Sequence, residues 1–149
     1  MGMSQILLLF TLLAIAFGQA AAQTGLNIDS AFDGRFRSSP DAVETEISGK
    51  TLKNSALDIY RSITLTEPAL TSEIEALVLK DGAAAETRQV RYIEGRLYYA
   101  YYIFKPVDNY RRYLFFINGF LKGGKKMTLI YMAGEATPEQ INKLISGRK

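Results

Sequence analysis

Arg96-Leu97-Tyr98-Tyr99-Ala100-Tyr101-Tyr102-Ile103-Phe104 is the stretch that decides the fold. Successive side chains of an extended strand point to opposite faces. In strict alternation one face carries Leu97, Tyr99, Tyr101 and Ile103, and the other Tyr98, Ala100, Tyr102 and Phe104. Neither face is polar. Tyr113-Leu114-Phe115-Phe116-Ile117 behaves likewise, as does Met127-Thr128-Leu129-Ile130-Tyr131-Met132 except at Thr128. An antiparallel sheet ordinarily keeps one wet face, so something must cover both faces of this one. Turn signals at Glu94-Gly95, Pro106-Val107-Asp108-Asn109 and Gly123-Gly124 predict four strands, near 86–94, 96–104, 111–118 and 126–132, paired as an antiparallel meander.

Toward the amino terminus the period-two pattern continues. Val43, Thr45 and Ile47 alternate with Glu44, Glu46 and Ser48, while Leu57, Ile59, Ile63 and Leu65 alternate with Asp58, Tyr60, Ser62 and Thr64. Both read as half-buried strands, with Glu44 and Glu46 toward solvent. Leu70, Ile74, Leu77 and Val78 fall on one helical face, which predicts a helix from Pro68 to Gly82. Thr137-Pro138-Glu139-Gln140 is a capping box opening a last helix, whose Ile141, Leu144 and Ile145 would face the sheet. Leu26, Ile28, Ala31, Phe32 and Phe36 allow a short amphipathic turn closed by Gly34. The expectation is one α+β domain over residues 23–149, a six-stranded antiparallel sheet with a four-strand carboxyl-terminal meander and two or three helices. The two helices would cover one face, and the segment around Phe32 and Phe36 part of the other.

Residues 5–18 are predominantly apolar, and Ala20-Ala21-Ala22-Gln23 fits a signal-peptidase site, so residues 1–22 read as a cleaved signal peptide. The run is short of the roughly 20 apolar residues a membrane span needs. The expected location is therefore periplasmic or extracellular, with no stable span after cleavage. The 149 residues include no Cys, His or Trp, which removes disulfides, thiolate nucleophiles, imidazole bases and nearly every structural zinc site. The net charge of +3 is spread over Arg35/Arg37, Arg88/Arg91, Arg111/Arg112 and Lys122/Lys125/Lys126. Such scatter does not predict a nucleic-acid surface.

The constellations that could carry chemistry are weak. Ser48-Gly49-Lys50-Thr51 resembles the end of a phosphate loop, but Glu44 stands where that motif requires Gly. Asp29-Ser30-Ala31-Phe32-Asp33-Gly34 opens like a calcium loop, but Ala31 cannot ligate and the twelfth position is Pro40. Lys50 and Lys53 beside Ser48 and Ser55 could form a Ser-Lys pair, though nothing desolvates either lysine. Glu44 and Glu46 share a strand face about 7 Å apart, compatible with paired-carboxylate chemistry. Arg111 and Arg112 flank an aromatic run as charged gatekeepers, or could hold an anion. No catalytic residue, metal ligand or cofactor is expected.

Phe32-Asp33-Gly34-Arg35, Val43 through Leu52, Tyr60-Arg61-Ser62-Ile63 and Ala136 through Ile141, in that order, resemble a family of small exported Bacteroidetes proteins of unknown function. The resemblance implies compartment and domain extent, and no activity. The leading expectation is a non-enzymatic binding domain that contacts a protein, a surface polymer or a second copy through its aromatic sheet. Its expected contact residues are Tyr98, Tyr99, Tyr101, Tyr102 and Tyr113, with Arg111 and Arg112 beside them. The alternatives are a carboxylate-dependent glycan hydrolase built on Glu44 or Glu46 and an envelope structural domain without a small ligand.

Overall fold

The computed structural model describes residues 25–49 and 55–146. The signal peptide expected over 1–22, and Lys50, Thr51 and Lys53, lie outside the described residues. Six strands form one open antiparallel sheet: β1 (Ala42–Ser48), β2 (Leu57–Leu65), β3 (Ala85–Ile93), β4 (Arg96–Phe104), β5 (Arg111–Asn118) and β6 (Met127–Gly134). Their spatial order is β1-β2-β6-β5-β4-β3, so β3 to β6 make the expected meander and β1-β2 adds beside β6. Glu94 and Gly95 both take positive φ, the requirement of the tight two-residue turn joining β3 to β4. Two α-helices complete the α+β domain, α1 (Thr71–Asp81) and α2 (Pro138–Ser146), with short 3₁₀ segments at Asn27–Phe32, Pro68–Leu70, Gly82–Ala84 and Gly119–Lys122.

Because β2 sits inside the sheet and β3 at its far edge, the chain between them must cross a face, and α1 is that crossing. Ile74 and Val78 of α1 pack on Leu97, Ala100, Tyr102 and Phe104 of β4, Leu114 and Phe116 of β5, and Met127, Leu129 and Tyr131 of β6. Each fully buried Leu or Phe side chain contributes roughly 1.5–3 kcal/mol through loss of apolar contact with water. Gly82 follows α1 without a positive φ; a Cβ there would lie 2.7 Å from the Tyr102 hydroxyl oxygen. The residue leaves room for the tyrosine, and the helix runs on into a 3₁₀ turn rather than stopping at it.

The arrangement of cover differs from the expectation. The amino-terminal segment packs beside α1 on the same face, contributing Leu26, Ile28, Ala31, Phe32 and Phe36 to that core. Asp81, only 1% exposed, is the reason. Its carboxylate accepts from the Asn27 and Ile28 backbone N–H groups at 2.6 and 2.9 Å and from Asn27 Nδ2 at 2.9 Å. It thereby satisfies donors at the start of a 3₁₀ segment that lacks a side-chain cap of its own.

Strict alternation also fails within β4. Tyr92 pairs with Leu97 and Arg91 with Tyr99, so Tyr98 is an extra residue, a β-bulge. Leu97 consequently joins Ala100, Tyr102 and Phe104 in the α1 core instead of sharing a face with Tyr99, Tyr101 and Ile103. Glu75 of α1 fixes this turn of the chain, accepting from Arg96 Nη2 at 2.7 Å and lying 3.5 Å from the Leu97 backbone nitrogen. β1 departs from its reading at Val43, which is exposed, and Glu44, which is half-buried, while Glu46 stays exposed and Ile47 half-buried as read. Glu44 pairs across from Ile63 and Glu46 from Arg61, on the Phe32 side, while Val43 is 62% exposed.

Candidate functional site

Among the described residues, the second sheet face is covered by α2. Thr137 and Gln140 form the expected capping box, the Gln140 N–H donating to Thr137 Oγ1 and the Thr137 N–H to Gln140 Oε1. Just ahead of the helix, the Tyr113 hydroxyl donates to the Ala136 carbonyl at 2.6 Å. Ile141 is buried, packing with Leu57, Tyr101, Tyr113, Ile130 and Met132. A nine-residue helix is only about 13 Å long at 1.5 Å per residue. Ile141 shelters the part of the face formed by Leu57, Tyr101, Tyr113, Ile130 and Met132, and among the described residues no other helix lies on that face.

Beside α2 this leaves a groove of about 600 Å³. β1 contributes Ile47 to its wall, β2 contributes Leu57 and Tyr60, β5 contributes Phe115 and Ile117, and β6 contributes Thr128, Ile130 and Met132. The helix supplies Lys143, Leu144 and Ile145. Lys143 is the one charged group among the described residues that line it. Tyr99 meets Phe115 edge-on, with ring centroids 5.5 Å apart, and continues the aromatic surface beyond the groove. Of the groove residues, the sequence places Ile47 and Leu57 on inward strand positions and Leu144 and Ile145 against the sheet; Ile145 does pack there, whereas Leu144 is 41% exposed. Tyr60, Phe115 and Ile117 become visible only once the sheet order and the short span of α2 are known.

The seven expected contact residues separate into three groups. Tyr101, Tyr102 and Tyr113 are buried. Desolvation pushes the Tyr102 hydroxyl up to about 12 and the Tyr101 hydroxyl well above the ordinary tyrosine range; Tyr113 is raised for the same reason. Tyr98 and Tyr99 are half-buried, Tyr98 with the Lys122 ammonium 5.0 Å from its ring centre. Arg111 and Arg112 are half-buried at the start of β5, and the Arg112 guanidinium lies 5.2 Å from the Phe104 ring centre. None of the seven lines the groove; Tyr99 and Tyr101 stand across from its wall residues Ile117 and Phe115, and Tyr113 across from Met132.

On the opposite face a second hollow, of about 360 Å³, lies between the amino-terminal segment and β1-β2. Phe32, Phe36, Arg37, Glu44, Glu46 and Arg61 line it, so the two glutamates of the hydrolase alternative do stand at a concave wall. Each has a guanidinium nearby: Arg37 Nε is 3.7 Å from Glu44 Oε2, and Arg61 Nε is 3.8 Å from Glu46 Oε2. Among the described residues no group of three or more Asp or Glu side chains is placed to hold a metal ion, and no helix is long and apolar enough to cross a membrane.

An open antiparallel sheet with unequal helical cover among the described residues, and an apolar groove on one face, defines an α+β domain. The chain belongs to the family of unknown function DUF6108, whose profile matches residues 15–145. No curated protein and no solved structure matches it.

Proposed function

We propose that this is an exported, non-enzymatic binding domain that receives an apolar segment of a protein partner in the groove between α2 and the sheet. The observation that carries the reading is the groove itself: about 600 Å³ of open volume walled mainly by aliphatic and aromatic side chains. Such a wall gains free energy when another apolar surface displaces its water, roughly 25 cal/mol for each Å² buried. A polysaccharide would find few hydrogen-bonding partners there, which favours polypeptide over surface polymer. Export rests on the apolar leader and the small-residue cleavage pattern at Ala20-Ala21-Ala22.

Panning a random peptide library against the domain, with light scattering to register self-association, tests the reading. Apolar or aromatic peptides, or a second copy of the chain, should bind and should lose at least tenfold in affinity to Ile117→Glu. Val107→Glu, at a position 70% exposed and away from the groove, should bind like the unaltered protein. Equal binding by Ile117→Glu, or a monomer that engages no apolar peptide, would overturn the proposal.

A further inference from the structure

β1 is one margin of the sheet, and we infer that the groove's polypeptide partner is held there as an extended seventh strand, its apolar side chains at alternate positions turned to the groove side. This mode presupposes that the groove takes an apolar polypeptide, and it adds how the segment is held. The register pairs Val43 with Thr64 and Thr45 with Ser62, and just outside it the Thr66 N–H donates to the Asp41 carbonyl at 2.8 Å. Antiparallel pairs alternate between bonded and non-bonded residues, so Asp41, Val43, Thr45 and Ile47 direct their backbone groups to β2. The N–H and C=O groups of Glu44 and Glu46 therefore point away from the sheet, and among the described residues nothing pairs with them. A strand laid alongside meets two donors and two acceptors already in line, the backbone requirement of strand addition.

The side chains of β1 decide which strand fits. Val43, Thr45 and Ile47 alternate onto the groove side, and Ile47 belongs to the groove wall, across from Tyr60, which also lines it. Val43 is 62% exposed, an apolar side chain standing in water at this margin. A neighbouring strand lies about 4.8 Å away and sets every second side chain on that same face. Apolar residues at alternate positions would cover Val43 and Ile47 and extend the apolar wall, while the residues between them fall on the Glu44 side and can be polar.

Other pairings fit less well. At the opposite margin the register of β3 shifts twice along the strand, whereas β1 runs through seven pairs with β2 without a break. Such irregularities bend an edge out of line for an incoming strand. A second copy of β1 is also disfavoured. With Glu44 and Glu46 both facing outward, every antiparallel register that overlaps most of the strand sets a glutamate opposite a glutamate.

A synthetic heptapeptide alternating isoleucine with serine, titrated into the isotopically labelled domain, tests the mode. At saturation, amide exchange at Glu44 and Glu46 should slow by about tenfold or more, while exchange along β3 stays as it was. N-methylation of the peptide at its serines removes donors from one edge of the strand, and at its isoleucines from the other. One set should lose about tenfold or more in affinity and the other should bind like the parent, because only one edge faces β1. A helical peptide of the same apolar content, locked by a side-chain crosslink, is the comparison. If it binds more tightly than the extended peptide and loses affinity to Ile117→Glu, the groove reading stands and the seventh strand is overturned. Unchanged exchange at Glu44 and Glu46, equal losses from both N-methylated sets, or dimers formed through β1 in light scattering overturn it too. If neither peptide binds, the groove reading falls together with the strand.

Discussion

Replacing Asp81 by alanine should remove the fastening that holds the amino-terminal segment against α1. Three donors converge on this carboxylate at 2.6, 2.9 and 2.9 Å, two of them backbone N–H groups, and the Ile28 contact is buried. Hydrogen bonds to a charged group are worth about 1.5–3 kcal/mol each, but three that share one acceptor do not add fully, so the loss should be about 3–5 kcal/mol. Against a total stability of roughly 5–15 kcal/mol this is a large share. It corresponds to a drop in melting temperature of roughly 10–20 °C for a domain of this size. Asp81→Asn should fare little better, because its amide nitrogen would face a backbone N–H with a second donor. Asn27→Ala, which deletes only the side-chain donor of an exposed residue, should cost about 1 kcal/mol or less. Urea denaturation of the three variants provides the measurement. An Asp81→Ala protein within about 1 kcal/mol of the unaltered one, or an Asn27→Ala protein as damaged as Asp81→Ala, would refute the fastening role.

Two tyrosines on the α2 side should respond in opposite directions to loss of the hydroxyl. The Tyr101 hydroxyl is buried with no hydrogen-bond partner among the described residues, so Tyr101→Phe should stabilise by about 0.5–2 kcal/mol; the Tyr113 hydroxyl bonds the Ala136 carbonyl, so Tyr113→Phe should destabilise by about 1 kcal/mol. Chemical denaturation of both variants decides the matter, and matching signs would contradict the bonding pattern. Alkaline titration provides a further check. Burial raises the Tyr101, Tyr102 and Tyr131 hydroxyls above their unfolded value of about 10, Tyr102 to about 12. A raised folded value means the stabilisation is complete below pH 10 and is lost as pH climbs through the folded values. Absorbance at 295 nm should show delayed ionisation of a subset of the nine tyrosines, coupled to unfolding. A single transition near pH 10 with the fold intact would contradict the burial.

The sheet was legible because its cause is local. Apolar or aromatic residues at every position of 97–104 and 113–117 leave no other regular structure that pairs backbone groups and shelters both faces. The capping box at Thr137 was legible for the same reason. What escaped reading depends on contacts between distant residues. Period two cannot register the extra residue at Tyr98, so Leu97 was assigned to the wrong face; the displacement follows from Glu75, more than twenty residues earlier. Val43 and Glu44 were read with their exposures exchanged because an edge strand with half its positions apolar gives alternation but no direction. The placement of Phe32 and Phe36 beside α1 turns on Asp81. One signal did exist there, since an acidic residue in the last turn opposes the helix dipole and so calls for a specific partner. The two hollows were beyond reach, because each is defined by what the helices fail to cover.

The sheet has two unfinished margins, and their chemistry bears on crowding. β3 is the edge strand beside β4, so its outward-pointing amides face water along a strand whose residues are nearly all exposed, and it carries Glu86, Arg88 and Arg91. Bringing a neighbour's strand alongside would strip solvent from these ions, a toll that falls on indiscriminate stacking and spares the groove on the broad face. The charged margin therefore opposes sideways growth into ribbons.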